Sequence, residues 1–471
     1  MKNKLFEDFQ PTNKDEWIAQ AIKDLRGKSF DEMLISQSLE GIQIAPFYTQ
    51  EDLLDQPSLE GFHHRVNPQP QIPGISPRVW SNVTRVETKS EKDGNAIILN
   101  ALQNGSDALV LVLNGDENLS VLLKDVQPAY IQIFLEPTSE PTQVFANFNS
   151  WLQQENHDLE QVFGGILWDG FVKRLIDDLG REELIRISRE LLDLSHDLPN
   201  FKTISIDFSH YHNSGANAVQ ELAFGFSALI DLIEDFSVDP KVVFDNLILR
   251  TAVGADYFME IAKVRMIRVL TQRMASLYHV SQKAEDVFIF SETSFWTKSR
   301  VDVQTNMLRN TTEAMSAILG GCNALEVLRH DCVNNEATEF SLRMARNISN
   351  ILKEESYLDQ ILDPFAGSYF LEKLTISIFQ KVKDKMVSIQ SSGGWWNLVD
   401  QNIIQEEVKK TRIERQKMIL DGKQTKVGVN KYLDSSSKAA PIETSKEEES
   451  NSQLKRSRES FLVENQTPSA S

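Results

Sequence analysis

The sequence predicts an α/β fold, a (β/α)₈ TIM barrel with an N-terminal extension arm and a C-terminal helical segment. Two observations support this prediction. From about residue 95 onward, short apolar, β-branched runs alternate with long amphipathic segments, a pattern typical of βα units and a parallel sheet. Seven or eight such units follow one another over about 280 residues, which favours a closed barrel over an open sheet.

Residues 1–80 precede this pattern and are predicted to form the arm. Residues 11–27 have a helical pattern, residues 41–49 (GIQIAPFYT) suggest a strand, and proline-rich loops follow to about residue 77. The arm has no domain pattern of its own, so we expect it to contact a partner chain. It carries the large apolar residues Trp17, Phe47, Tyr48 and Phe62.

The barrel is predicted over residues 81–369, with seven clear strands and a weaker eighth that ends at Ile361-Leu362. Amphipathic helices are expected between the strands because apolar residues recur there at helical spacing. The seven clear runs are residues 108–113 (ALVLVL), 130–135 (YIQIFL), 165–168 (GILW), 203–207 (TISID), 243–249 (VFDNLIL), 287–290 (VFIF) and 325–328 (LEVL).

Two further segments follow the barrel. Residues 370–432 are predicted to be helical and are highly charged, with an interruption at residues 391–394 (SSGG). We interpret the charged helix at residues 406–415 as a solvated face. Residues 433–471 are rich in serine and glutamate and poor in apolar residues, so we expect a disordered polar tail.

Composition excludes several classes of protein. The net charge of −19 and the lack of a basic run argue against nucleic acid or anionic membrane as a partner. Cys322 and Cys332 are interpreted as ordinary reduced thiols, since their spacing fits neither a disulfide framework nor a metal site. The N-terminus does not resemble a secretory signal and no 18-residue apolar run occurs, which predicts a cytoplasmic protein.

The densest polar cluster lies at residues 207–215 (DFSHYHNSG), between a predicted strand and a predicted helix. It would therefore sit at the carboxyl end of the barrel, where barrel enzymes place their sites. His210 and His212 could act there as acids, bases or ligands. Alternatively, they hydrogen-bond loop carbonyls while Asn213 or Ser214 caps the helix. The residues alone leave both interpretations open.

Five blocks resemble the methylmalonyl-CoA mutase family, and they occur in the same order as in that family. The first, residues 254–265 (GADYFMEIAKVR), is similar to the family's G-x-[ND]-x-F-x-E-I-A-K-x-R stretch. Each block alone is weak, but five in order, within a resemblance covering about residues 10–432, are specific. The other four are residues 306–314 (NMLRNTTEA), 337–347 (ATEFSLRMARN), 363–374 (DPFAGSYFLEKL) and 427–432 (VGVNKY).

The resemblance implies an acyl-CoA-binding barrel that works with adenosylcobalamin held by a separate domain. We expect no cobalamin-binding domain here, because only a polar tail follows residue 432. Residues 210–215 (HYHNSG) differ from the DxHxxG cobalamin motif, lacking the aspartate that would orient the ligand histidine, so no metal site is assigned. The resemblance therefore implies the small, non-catalytic subunit of a heterodimeric mutase that interconverts methylmalonyl-CoA and succinyl-CoA. The large catalytic subunit would bind the cofactor.

Departures from the family pattern support this interpretation. Asn246 and Ile248 replace an arginine and a serine that resemble CoA-binding contacts, so a charge-assisted phosphate contact is lost. Glu326 replaces a histidine and would repel an anionic ligand. His210 is kept, and residues 212–216 (HNSGA) are similar to the H-N-x-G-A turn of small subunits. His210 and His212 are therefore vestigial candidates, and Asn246, Ile248 and Glu326 are degenerate substrate positions.

Two other functions remain open at this stage. The chain could be a substrate-competent acyl-CoA mutase barrel whose cobalamin domain is on a separate chain, and His210 supports that alternative. It could also be an unrelated barrel lyase or hydrolase, although no base with a matching electrophile is recognisable in the sequence.

Overall fold

The computed structural model describes residues 12–53, 76–87, 90–333, 337–434 and 449–465, and its centre is a parallel β-barrel. Two short strands of the arm pair with each other in antiparallel orientation, and the other nine described strands form one parallel sheet. The strands are β1 Ser36–Gln37, β2 Gln43–Ile44, β3 Ser81–Val86, β4 Ala108–Leu113, β5 Gln132–Pro137, β6 Phe163–Ile166, β7 Phe201–Lys202, β8 Ile204–Asp207, β9 Leu247–Val253, β10 Phe288–Thr293 and β11 Ala324–Glu326.

The nine strands occupy eight positions around the barrel. β7 and β8 are two parts of one strand, separated only by Thr203, and they join the two ends of the sheet. β7 pairs with β6, whereas β8 pairs with β9 in register Ile204 to Leu247. From β3 to β11 the strands follow one another in chain order, and β11 pairs with β3. The predicted (β/α)₈ barrel is confirmed.

The helices between the strands pack on the outside of the barrel. Most begin at a polar cap; the helix that begins at Ala218, for example, starts with a capping box between Asn217 and Gln220. The helices are α1 Lys14–Asp24, α2 Phe30–Leu34, α3 Glu91–Gln103, α4 Leu119–Leu122, α5 Pro141–Gln154, α6 Gly170–Asp177, α7 Arg181–Leu194, α8 Phe208–Asn213, α9 Ala218–Phe236, α10 Pro240–Asp245, α11 Tyr257–Leu277, α12 Thr305–Gly320, α13 Glu339–Glu354, α14 Tyr369–Ser391, α15 Gly394–Asp400, α16 Ile403–Leu420 and α17 Phe461–Glu464.

Two predicted strands are wrong in position. The eighth strand of the barrel is β3, which the sequence does not predict. Ile361-Leu362, where the weak eighth strand was predicted to end, instead follows a 3₁₀ turn at Leu358–Gln360. Four of the six residues of β3 are polar, so it does not form an apolar run in the sequence. The run at residues 243–249 is divided between α10 and β9, because Asp239 and Pro240 start a helix there.

Strand residues alternate between two cores. In β4, Leu109 and Leu111 point outward and pack with the helices, whereas Ala108 and Val110 point into the barrel. The inner cluster is closed by large side chains from other strands, so the barrel axis is packed and is not an open pore at this level. It comprises Val83, Ala108, Val110, Phe134, Leu167, Ile248, Phe290 and Ala324.

The arm lies against α9 and α14. Ile42 is buried in the main core, and Asn217 of α9 donates a hydrogen bond to the Leu39 carbonyl at 3.2 Å. Tyr48 packs on Phe370 with ring centroids 5.3 Å apart. The strand predicted at residues 41–49 is reduced to β2, and Phe62 lies outside the described residues.

Residues 449–465, called the strap below, are packed on the barrel. Leu454 is fully buried, and Arg458, Glu459 and Ser460 are buried beside it. The prediction of a disordered tail is therefore wrong for the strap, while residues 435–448 and 466–471 lie outside the described residues. The prediction counted apolar residues, but the strap is held mainly by hydrogen bonds and ion pairs to distant residues, which composition does not reveal. Within the part of the chain that the structure describes, no helix is long and apolar enough to cross a bilayer.

Candidate functional site at the carboxyl end of the barrel

A layer of charged residues lies inside the barrel at the carboxyl ends of its strands. Each member stands two residues beyond an inward-pointing apolar residue, so the strand period of two places it on the same interior face. These spacings are Val83 to Arg85, Phe134 to Glu136, Ile248 to Arg250, Phe290 to Glu292 and Ala324 to Glu326. The five charged residues are called the ionic layer below.

The ionic layer is internally paired. Arg85 donates to Glu326 Oε1 at 2.6 Å and to Glu136 Oε2 at 2.8 Å. Arg250 donates to Glu292 Oε2 at 2.7 Å and to Glu136 Oε2 at 3.0 Å. Burial opposes ionisation of Glu136, but the two guanidinium groups outweigh it and hold the pKa of Glu136 well below its usual range. Both arginines are therefore occupied by carboxylates.

His210 lies on α8, directly after β8. Asp207 caps this short helix by accepting the Ser209 amide at 2.8 Å. The imidazole is 1% exposed, and its Nε2 is 2.8 Å from the Leu454 carbonyl of the strap, so Nε2 carries the proton and donates. Burial, with the positive charge of Arg456, lowers the pKa of His210 to about 3, which keeps the ring neutral.

His212 is held from both sides. Its Nδ1 lies 2.8 Å from Glu221 and its Nε2 lies 2.8 Å from the hydroxyl of Ser294. Lys263 pairs with Glu221 at 2.8 Å, and burial together with Lys263 lowers the pKa of His212 to about 3. The serine, histidine and glutamate resemble a nucleophilic triad in connectivity, but Ser294 is completely buried and no substrate can reach it. This arrangement fixes α8 against its neighbours.

The helix caps differ from those predicted from sequence. Asp207 caps α8 and Asn217 caps α9, whereas Asn213 uses its side chain elsewhere. Its side-chain oxygen Oδ1 accepts the backbone amides of Phe295 and Trp296, and its side-chain nitrogen Nδ2 donates to Glu292 at 3.0 Å. Asn213 thus ties α8 to the loop after β10 and to the ionic layer.

The structure separates the three degenerate substrate positions. Asn246 lies before β9, at the amino end of the barrel, and donates to the Val242 carbonyl at 2.9 Å. Ile248 belongs to the inner apolar cluster, and Glu326 belongs to the ionic layer. Asn246 and His210 therefore lie at opposite ends of the barrel. In the described ranges, no group of three histidine, cysteine or acidic residues could hold a metal ion.

The strap crosses the carboxyl end of the barrel. The Ser457 amide donates to the Asn213 carbonyl at 2.7 Å, and the Glu459 amide donates to the Trp296 carbonyl at 3.0 Å. The Leu454 amide donates to the Leu175 carbonyl at 2.8 Å. Sequence reasoning missed both the strap and the ionic layer. The ionic layer could have been predicted from the sequence, because charged residues at inward-facing strand positions near the carboxyl end of a barrel mark a site.

Comparison with known proteins agrees with the five sequence blocks. The profile of the methylmalonyl-CoA mutase family matches residues 114–465, which includes both the ionic layer from β5 onward and the strap. The chain belongs to the methylmalonyl-CoA mutase family. The resemblance inferred from the sequence is therefore confirmed.

Three relatives show how far the similarity extends. The methylmalonyl-CoA mutase small subunit of Porphyromonas gingivalis is 28% identical, over 92% of this chain and 71% of that subunit. The mutase of Cereibacter sphaeroides is 28% identical, over 89% of this chain and 64% of that protein. The mitochondrial mutase of Homo sapiens is 26% identical, over 92% of this chain and 62% of that protein. The chain thus spans about two thirds of the length of these relatives.

Proposed function

We propose that this chain is the non-catalytic small subunit of a cytoplasmic, heterodimeric methylmalonyl-CoA mutase. In this proposal the complex interconverts methylmalonyl-CoA and succinyl-CoA, and a large subunit binds adenosylcobalamin and performs the reaction. The small subunit supports the large subunit structurally.

The closed ionic layer is the observation that supports the proposal most. A substrate of this class brings a carboxylate and phosphates, and each needs a cationic or neutral donor. Arg85 and Arg250 already pair with carboxylates, and Glu326 adds a negative charge at the position where the family pattern has a histidine. Admitting an anion at Arg250 would break its buried ion pair with Glu292, which costs several kcal/mol.

The residues at this end of the barrel do not fit a cobalt ligand either. Both ring nitrogens of His212 are engaged, by Glu221 and Ser294. His210 donates from Nε2 to a strap carbonyl, and its Nδ1 has no hydrogen-bond partner but is fully buried, so it does not face a space that could hold a cofactor. A ligand histidine needs one free nitrogen aimed at the metal. We therefore assign the cofactor to the partner, where adenosylcobalamin would supply the radical chemistry.

The alternative is a substrate-competent barrel that borrows a partner's cobalamin domain. Only His210 favours it, because that histidine is kept at the end of β8. Its full burial and its hydrogen bond to Leu454 argue against it, since an acid or base must reach the substrate.

The arm is the surface that we propose for the partner. No residue of α1 is buried, and Trp17 stacks on Phe47 at 5.1 Å while both side chains remain more than a third exposed. Phe30 meets the Trp17 ring edge-on at 6.4 Å. Such an apolar cluster on an extension suits an obligate interface, which typically buries more than about 2,000 Å².

Co-expression with a candidate large subunit tests the proposal. We expect a 1:1 complex by native mass spectrometry after purification through a tag on the large subunit. Because residues 1–80 include the buried Ile42 and Trp80, the arm is tested by substitution. Trp17→Ser with Phe47→Ser should abolish co-purification and leave the helical circular dichroism largely intact. If the full-length chain stays monomeric beside the large subunit, and mutase activity is the same without it, the proposal is wrong.

A further inference from the structure

One face of α16 forms a row of polar side chains that hold the strap. The spacing of four, three and four residues places all of them on one side of the helix, and each donates to a strap backbone carbonyl. The earlier interpretation of this helix as a solvated face is therefore wrong for this side. The bonds run from Gln405 to Ser452 at 3.0 Å, from Lys409 to Ser450 at 2.7 Å, from Arg412 to Lys455 at 3.1 Å and from Gln416 to Arg458 at 2.8 Å.

The barrel contributes the complementary set of groups. Three strap amides donate to carbonyls of the barrel domain, as described above, while the strap carbonyls accept from α16. The strap is thus recognised mainly through its backbone, between a row of donors and a row of acceptors. Groups arranged in this way form a groove for an extended peptide.

Ion pairs fasten the distal half of the strap. Lys426, directly before the VGVNKY block, pairs with Glu459 and also donates to the Thr297 carbonyl at 2.6 Å. Glu464 accepts from Ser299 at 2.9 Å and pairs with Arg458 at 2.7 Å. All of these charged groups are buried, so removal of one partner would leave the other uncompensated.

The charge of the barrel end fits a cationic side chain. Four carboxylates lie there, from Glu326, Glu292, Asp207 and Glu136, against the two guanidinium groups of Arg85 and Arg250. Arg456 of the strap brings a third guanidinium, and its charge favours the ionised forms of Glu136 and Glu292. The surplus of negative charge is thereby reduced.

We propose that the carboxyl end of the barrel and the polar face of α16 form a peptide-binding groove, and that its ligand is the chain's own strap. Bound in this groove, the strap covers His210 and closes the barrel end against small ligands. This inference does not depend on the identity of the partner subunit, because it concerns contacts within the chain.

The test measures access to His210 in the full-length chain. Diethyl pyrocarbonate modifies accessible imidazoles, and peptide mass spectrometry measures how fast His210 is modified. His196, whose side chain is 88% exposed, is the internal standard. Hydrogen exchange of residues 449–465 reports whether the strap is bound. Ser457→Pro removes the donor to Asn213. Arg412→Ala with Gln416→Ala removes α16 donors and is a second, independent way to release the strap.

We expect fast exchange of the strap and a rise of at least about tenfold in His210 labelling in both variants. Asn451→Pro is the matched control, because residue 451 is the second residue of a turn closed by Gln453 and Ser450, where proline fits. A synthetic peptide of residues 449–465 should restore protection to the Ser457→Pro chain.

Three outcomes would overturn the inference. His210 in the unaltered chain could react as fast as His196, which would mean that the strap does not cover it. His210 could stay protected after the strap exchanges freely, which would mean that another group closes the site. Both releasing variants could keep slow exchange, which would show that these backbone contacts do not hold the strap.

Discussion

Single residues at inward strand positions determine the character of the barrel end. Arg250 is 4% exposed and contacts Glu292 and Glu136, so its charge is compensated only as long as both carboxylates are present. Its burial is tolerated because the ionic layer is complete. A substitution in this layer should therefore act on folding stability and not only on local contacts.

Arg250→Met should lower the free energy of unfolding by about 3–5 kcal/mol, because it leaves the buried carboxylate of Glu292 without its guanidinium partner, while Glu136 keeps Arg85. Urea denaturation followed by circular dichroism measures this change. Arg186→Met is the control, since Arg186 makes comparable ion pairs with Glu183 and Glu190 on the surface and should have little effect. A loss below about 1 kcal/mol at Arg250 would mean that the ionic layer is not buried as described.

His210 should make the protein less stable as the pH falls. Its pKa is about 3 in the folded chain against the ordinary 6.5, so between these values the unfolded state binds more protons and stability decreases with acidification. The loss should approach roughly 1.4 kcal/mol per pH unit below 6.5. His210→Gln, which keeps a donor for Leu454, should flatten the dependence of the melting temperature on pH between 7 and 5.

His196→Gln is the matched control for this measurement. His196 is exposed, so its environment changes little on unfolding and the variant should follow the unaltered chain. Identical pH dependence in all three proteins would contradict the burial of His210.

At the scale of elements, the sequence predicts strands well where an apolar run is continuous. β4 is predicted with its observed bounds, because six apolar residues in a row suit a strand buried on both faces. β3 is missed because polar residues occupy four of its six positions. The predicted run 243–249 includes the last three residues of α10 because Val243 and Phe244 are apolar. Each error reflects local chemistry that the apolar pattern does not contain.

The strap could not be predicted in this way. Its burial depends on partners such as Lys426 and Gln416, which are 33 and 41 residues away in the chain, and on His210, which is 244 residues from Leu454. Its own composition is that of a solvated tail. Only the three-dimensional arrangement brings these groups together.

Truncation after Asp434 should lower the melting temperature by several degrees. It exposes the site of Leu454 and leaves Lys426 buried without Glu459, and each effect costs stability. A disordered tail, as the sequence predicts, would instead be dispensable for stability. Differential scanning calorimetry distinguishes the two expectations, and a melting temperature unchanged within about one degree would favour the dispensable tail.

At the scale of the whole molecule, the barrel and the arm suggest different tasks. The barrel keeps the architecture of its family, but its inner layers are filled by Phe134, Ile248 and Phe290, and its carboxyl end is closed by ion pairs and by the strap. The arm instead leaves an aromatic cluster exposed. The closed barrel end and the exposed aromatic cluster of the arm support the proposal of a supporting subunit.

Steady-state turnover of methylmalonyl-CoA tests most directly whether this chain performs chemistry. The complex with the large subunit should convert the substrate in the presence of adenosylcobalamin, and this chain alone should not. Replacing the chain in the complex by its His210→Gln variant should change kcat by less than about tenfold, because a general acid or base contributes roughly 10²–10⁴-fold. Turnover by the chain alone, or a loss of kcat in that larger range, would contradict a non-catalytic small subunit.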